Sequence, residues 1–135
     1  MRGISFLLMG AALSACSTAP QPGRSAHAEN HFRELISGKV AGQPVACLPS
    51  YRAKDMVVID DSTIAFREGG SRVWVTNLRS SCAHLGSGHY ALVTRTFGGT
   101  GLCSGDIAEV ADVSNGFTVG SCVVGEFTPY TKRRG

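Results

Sequence analysis

Thr63-Ile64-Ala65-Phe66-Arg67-Glu68-Gly69-Gly70-Ser71-Arg72-Val73-Trp74-Val75-Thr76-Asn77-Leu78 decides how this chain folds. Two runs rich in β-branched and aromatic residues, Thr63 to Arg67 and Arg72 to Leu78, flank a Gly-Gly pair. Such side chains fit a pleated, half-buried surface, and glycine permits the reversal between them. In the second run Val73, Val75 and Asn77 alternate with Trp74, Thr76 and Leu78, the period of two that a strand requires. The spacing predicts a β-hairpin.

Working outward, the same chemistry repeats. Met56 to Ile59 reaches the hairpin through Asp60-Asp61-Ser62, a turn sequence. Val45 to Leu48 is a short apolar run ending at Pro49. Ala91 to Phe97 reads as a further strand, followed by the glycine-rich turn Gly98-Gly99-Thr100-Gly101. Ile107 to Val113 and Phe117 to Val124 form a second hairpin through Ser114-Asn115-Gly116. Short strands at this spacing predict an all-β domain, a small antiparallel barrel or twisted sandwich of about six to seven strands. Upstream, Phe32, Leu35 and Ile36 fall at i, i+3 and i+4 before Gly38, which predicts a short helix within residues 26–37. That helix either packs on the domain or stays loosely attached.

The N-terminus carries an address. Met1-Arg2-Gly3 is a charged start, Ile4 to Leu13 an apolar core, and Leu13-Ser14-Ala15-Cys16 a lipobox, the cleavage signature of a bacterial lipoprotein. The apolar core has ten residues. At about 1.5 Å each they cover about 15 Å, half of a bilayer core, which excludes a transmembrane helix. The expectation is cleavage before Cys16, lipid on its thiol and amine, and a membrane as partner through that lipid. Ser17 in place of an aspartate favours sorting to the outer membrane, with the domain in the periplasm. Ser17 to Ser25 is rich in Pro, Ser and Gly and reads as a flexible tether. The expected organisation is a signal peptide at 1–15, a lipid-anchored tether with short helix at 16–37, a disulfide-braced β domain at 38–130 and a basic tail at 131–135.

Of five cysteines, one goes to the lipid. Cys47, Cys82, Cys103 and Cys122 then form an even set, which in a secreted small domain reads as two disulfides. Three pairings are open. Expected strand adjacency favours Cys47–Cys122 and Cys82–Cys103, tying the first core strand to the last and pinning the central hairpin region. The spacings of 35, 21 and 19 residues, with no C-x-x-C, match no zinc module. The formal charge is +3, but Gly38 to Tyr130 holds seven Lys/Arg against eight Asp/Glu. Lys132, Arg133 and Arg134 carry the excess, so the domain lacks the basic face that nucleic-acid binding needs.

The order of these segments resembles a known family. Val45-Ala46-Cys47-Leu48, Ile59 to Phe66, Val73 to Leu78, Cys82 with Leu85, Leu102 to Asp106 and the closing Gly120 to Tyr130 with its Gly-x-Phe-x-Pro-Tyr ending carry the likeness. Across roughly residues 38–130 the chain is similar to uncharacterised bacterial envelope proteins sharing the domain of unknown function numbered 6491. The resemblance implies a secreted, often lipid-anchored small β domain of unassigned activity. Its recurrent positions here are the cysteines, Trp74, Asn77, Asp106 and Phe127, and it supplies no catalytic residues.

Candidate chemistry is sparse. His84 and His89 flank a glycine-rich loop, and His27 and His31 sit four apart near Glu34 on the predicted helix. The first spacing matches no known metal module; the second could put both rings on one helix face, a geometry that can bind zinc or copper, but it lies in the tether. Asp106 and the Asp60-Asp61 pair read as turn residues. There is no G-x-S-x-G elbow, no phosphate-loop lysine after Gly98-Gly99-Thr100-Gly101 and no close dithiol. No catalytic, metal or cofactor site is expected. Trp74, Phe66, Phe97, Phe117, Phe127 and Tyr130 are mostly core candidates. Phe127-Thr128-Pro129-Tyr130 is the candidate partner surface, because Pro129 is expected to stop strand pairing there. The expected function is a non-enzymatic binding or accessory lipoprotein of the outer membrane. The alternative is a small-ligand or cell-wall-fragment binder using a barrel mouth.

Overall fold

The computed structural model describes residues 23–48, 55–95 and 101–134. Cys16, the signal segment, Phe97 and most of the 98–101 turn lie outside them. Among the described residues the chain forms one α-helix, α1 (Ala26–Ile36), a 3-10 turn at Leu85–Ser87, and ten strands: β1 (Lys39–Ala41), β2 (Cys47–Leu48), β3 (Met56–Asp60), β4 (Thr63–Glu68), β5 (Arg72–Asn77), β6 (Tyr90–Thr94), β7 (Leu102–Cys103), β8 (Ile107–Asp112), β9 (Thr118–Val123) and β10 (Phe127–Lys132). All pairing is antiparallel. A five-stranded sheet runs β1-β10-β5-β4-β3, a three-stranded sheet runs β6-β8-β9, and β2 pairs with β7 as a small ribbon. The arrangement is an open sandwich with no closed barrel. The extra strands relative to expectation are short: β1, β2 and β7 have only two or three residues each.

Alternation in the predicted hairpin sets the layers. Ile64 and Phe66 of β4, with Phe127 of β10, face the three-stranded sheet, where they meet Ala108, Val110, Cys122 and Val124. Leu48 and Leu102 from the ribbon close this core. Ala65, Val57, Ile59, Val73 and Val75 point the other way, against Ala28, Phe32, Leu35 and Ile36 of α1. Those four helix positions fall on one face, so the helix packs on the sheet as a third layer. Ser25 caps it, its hydroxyl accepting from the Ala28 N–H at 3.2 Å. The folded unit therefore reaches upstream of Gly38. It also reaches downstream of Tyr130, because β10 continues to Lys132 and takes in the start of the expected basic tail.

The disulfides are Cys47–Cys103 and Cys82–Cys122, correcting the favoured pairing. That expectation placed the first core strand beside the last. Cys47 instead lies on the ribbon strand β2, directly opposite Cys103 of β7. Cys82, in the segment after β5, meets Cys122 of β9 inside the main core, and both are buried. One bridge locks the ribbon, and the other staples the five-stranded sheet's exit loop to the three-stranded sheet.

Pro129 does not stop pairing. It lies inside β10 opposite Trp74 of β5, with Tyr130 opposite Val73. Its carbonyl accepts from the Gly42 N–H at 2.7 Å, on the flank facing β1. A residue's N–H and C=O leave a strand on the same side, so the missing N–H also points there, just past the last residue of β1. A proline is tolerated at such a strand end. Gly125, preceding β10, is held by a close approach: a Cβ there would collide with the Asn77 carbonyl oxygen.

Sequence separations of 56 and 40 residues make each bridge worth about 4 kcal/mol by chain-entropy arithmetic. Non-reducing peptide mapping is expected to recover Cys47 with Cys103 and Cys82 with Cys122. The double substitution Cys82→Ala with Cys122→Ala should lower unfolding free energy by about 4 kcal/mol in urea titration; a loss below about 1 kcal/mol would remove this bridge as a main stabiliser.

Candidate functional site

The strand ends that gather around the N-terminus of α1 carry the densest polar network. Arg24 donates from Nε to Asp60 at 2.8 Å, from its second guanidinium nitrogen to Thr63 at 3.0 Å, and pairs with Glu29 at 3.2 Å. Thr63 in turn donates to Asn77 Oδ1 at 3.3 Å. The guanidinium also lies over the Phe32 ring, 4.4 Å from its centroid. Asp60 accepts the Ser62 N–H as well, while its neighbour Asp61 turns away to accept the Gly86 N–H at 2.7 Å. The two adjacent carboxylates therefore serve different backbones and do not act as a pair. An open groove of about 880 Å³ runs along this end, lined by Gly23, Arg24, His27, Asp61, Arg79 and Gly86 among others.

The β8–β9 hairpin tip is held beside His89. Gly86 opens into the segment leading to His89, whose carbonyl accepts from the Val113 N–H at 3.3 Å. Val113 and Phe117 flank the β8–β9 turn and are 67% and 72% exposed, the most exposed of the large hydrophobics. Phe117 was a core candidate by composition; it points to solvent instead, because it belongs to the turn and precedes the first paired residue of β9. The turn is tightly built. Asp112 accepts from the Ser114 N–H and hydroxyl, Asn115 Oδ1 accepts from the Phe117 N–H at 2.8 Å, and Gly116 takes the positive φ of 76° that the reversal needs.

The opposite end of the five-stranded sheet is basic. Lys39 of β1 stands directly opposite Lys132 of β10, and Arg72 opens β5 beside Arg67 at the end of β4. Lys39 is drawn to the helix C-terminus, donating to the Leu35 carbonyl at 2.8 Å. Arg72 pairs with Glu68 at 3.4 Å, and Glu68 also accepts the Trp74 indole N–H at 2.7 Å. A smaller cleft of about 340 Å³ opens here between α1 and the β4–β5 turn, with His31, Glu34, Lys39 and Arg67 on its walls.

The other candidates separate. Phe127 is fully buried and packs against Phe66, so it cannot present a partner surface. Tyr130 meets Phe32 of α1 edge-on at 6.1 Å and is part of the helix–sheet seam. Core closure, the use a barrel-sized fold makes of large aromatics, has taken these residues. Asp106 accepts the Cys103 N–H at 2.7 Å, a turn role. His84 adopts a left-handed backbone (φ 73°) with its ring 5.6 Å from that of Tyr90. Among the described residues no three His, Cys, Asp or Glu side chains group as metal ligands, and no helix is long and apolar enough to cross a membrane. Sequence reading missed Arg24, taken as tether, although Ser25 three residues before Ala28 was a legible helix start.

The chain belongs to a family of unknown function, DUF6491, whose model matches residues 1–134. The match covers more than the segment from 38 to 130 that carried the resemblance, and includes residues 1–22 and α1. No curated protein and no solved structure matches the chain.

Two predictions follow from the network and the turn. Arg24→Ala strips charged partners from Asp60, Thr63 and Glu29, and is expected to cost about 1–2 kcal/mol in urea titration. Hydrogen exchange should rise first in α1, and unchanged protection there would show that the helix is held by apolar contacts alone. Asp112 has its carboxyl held below the usual carboxylate range, chiefly by the Ser114 hydroxyl, then by the Ser114 N–H. A depressed folded-state value gives stabilisation that is present above the unfolded pKa and lost as pH falls through the folded one. The Ser114 amide resonance should therefore stay native on acidification from neutrality and shift only below the ordinary Asp range, whereas in Asp112→Asn it should not titrate.

Proposed function

We propose that this protein is a lipoprotein of the outer membrane, held by lipid on Cys16, with its three-layer domain in the periplasm acting as a non-enzymatic binding or accessory module. The observation that carries the reading is the Leu-Ser-Ala-Cys motif ten residues upstream of α1, which starts at Ala26. Two disulfides, one of them fully inside the core, suit an oxidising compartment. Asp60, Asp61 and Asp106, the carboxylates that could have served a catalytic set, are engaged in turns and the Arg24 network. The lipid confines the domain to a surface and raises its effective concentration for partners on that surface.

The alternative, a binder of small ligands or cell-wall fragments, draws on the two open clefts. The main core, filled by side chains from all three sheets, counts against a ligand inside a barrel mouth.

Full-length protein with a C-terminal tag, purified from detergent-solubilised envelopes, is expected to show an acylated Cys16 by mass spectrometry. Cys16→Ser should move it to the soluble fraction and abolish capture of any stoichiometric envelope partner. An unacylated wild-type chain, or a membrane fraction indifferent to Cys16→Ser, would refute the anchored reading.

A further inference from the structure

We propose that Cys47–Cys103 is a thiol–disulfide exchange site: a dithiol reductant opens it while Cys82–Cys122 stays closed, and opening frees the β2–β7 ribbon from the edge of the main core. This goes beyond the lipoprotein reading and does not depend on the lipid.

The fold puts its two bridges in different places. Side chains alternate along a strand, so in a ribbon of two residues per strand each face carries one cross-strand pair. Leu48 and Leu102 stand opposite each other, and both are buried in the main core. Cys47 and Cys103, the other pair, therefore occupy the outward face, where Cys47 is exposed and Cys103 half-buried. Cys82 and Cys122 are only 0% and 2% exposed. A thiolate must reach a sulfur to attack it. It meets Cys47 from solvent with the fold closed, and meets Cys82 or Cys122 only after the sheets part. No C-x-x-C marks the site, because the pair is made across 56 residues by strand register.

The exchange balances with a dithiol as its co-reactant. One thiol of the reductant, deprotonated by water, attacks Cys47 Sγ. The Cys47–Cys103 bond breaks, and Cys103 leaves as a thiolate that takes a proton from water. The second thiol then attacks the mixed disulfide, closes the reductant's own disulfide and releases Cys47 as a thiol. Two electrons and two protons pass to the bridge. Opening acts on a small unit. Two residues of pairing per strand are too few to persist without the bond. The roots of the ribbon stay attached: Val45 and Phe127 exchange backbone hydrogen bonds at 2.9 Å, and the Gly105 N–H donates to the Val124 carbonyl at 2.9 Å. Leu48 and Leu102 then leave the core edge together, and the attached roots keep the two thiols near each other for reclosure.

The test exposes full-length protein in detergent, without denaturant, to dithiothreitol. Free thiols are alkylated at timed intervals and assigned by peptide mapping. Cys47 and Cys103 should label together, at least about a hundredfold faster than Cys82 and Cys122. In the intermediate with only this pair reduced, hydrogen exchange should rise in residues 45–48 and 102–105 while α1, β4 and β5 keep their protection. Cys47→Ser with Cys103→Ser should show the same local rise without reductant. Labelling of all four cysteines at one rate, labelling of Cys82 and Cys122 first, or no labelling before denaturant is added overturns the exchange site. Exchange that rises throughout the wild-type chain once Cys47–Cys103 opens also overturns the proposal, because the bridge is then a staple of the whole fold. Unchanged protection at 45–48 and 102–105 overturns it too, since the ribbon then stays closed without its bond.

Discussion

Every layer of this molecule is stacked on the alternation of β4 and β5. Ile64 and Phe66 face one way, Ala65, Val73 and Val75 the other. Because the side-chain period is two, a one-residue slip in the pairing of Ala65 with Val75 and Phe66 with Trp74 would move both sets to the wrong side at once. A sheet buried on one face tolerates such a slip poorly. A sheet buried on both faces by different partners, a helix and a second sheet, tolerates it worse. The size match is part of the constraint: small Ala65 lies under α1, while bulky Phe66 and Phe127 fill the wider space beneath the three-stranded sheet.

Disulfide placement follows from that stacking. The helix side of the sheet is closed by a continuous apolar face and needs no bridge. The other side must hold two separate sheets that mostly do not hydrogen-bond to the central one. Cys82–Cys122 crosses that division, and Cys47–Cys103 fixes a ribbon of two residues per strand that could hardly persist alone. The covalent links sit where hydrogen-bonded pairing ends.

Much of this was legible in the sequence because local chemistry and final structure agree. Alternation marked the Thr63–Leu78 hairpin, Asp60-Asp61-Ser62 and Ser114-Asn115-Gly116 marked turns, and Phe32, Leu35 and Ile36 marked the helix. What was not legible depends on long-range neighbours. Nothing near Cys47 says that its strand leaves the main sheet to pair with β7. Pro129 reads as a breaker until β1 is known to end at Ala41, opposite Tyr130. Phe117 and Phe127 are the same residue type one strand apart. Only the turn geometry of one and the central strand position of the other decide that the first is exposed and the second buried. Arg24 was hidden by its surroundings: a Pro- and Ser-rich stretch reads as linker, and the partners that order it lie 36 and 39 residues away.

The near-neutral domain conceals a division of charge along its strands. At the end where the chain enters, carboxylates are consumed one by one: Asp60 by Arg24 and Ser62, Asp61 by Gly86. At the other end, among the described residues, the cations outnumber their partners, and Lys39 and Arg72 are engaged. A helix C-terminus adds negative partial charge there, and Lys39 already answers it.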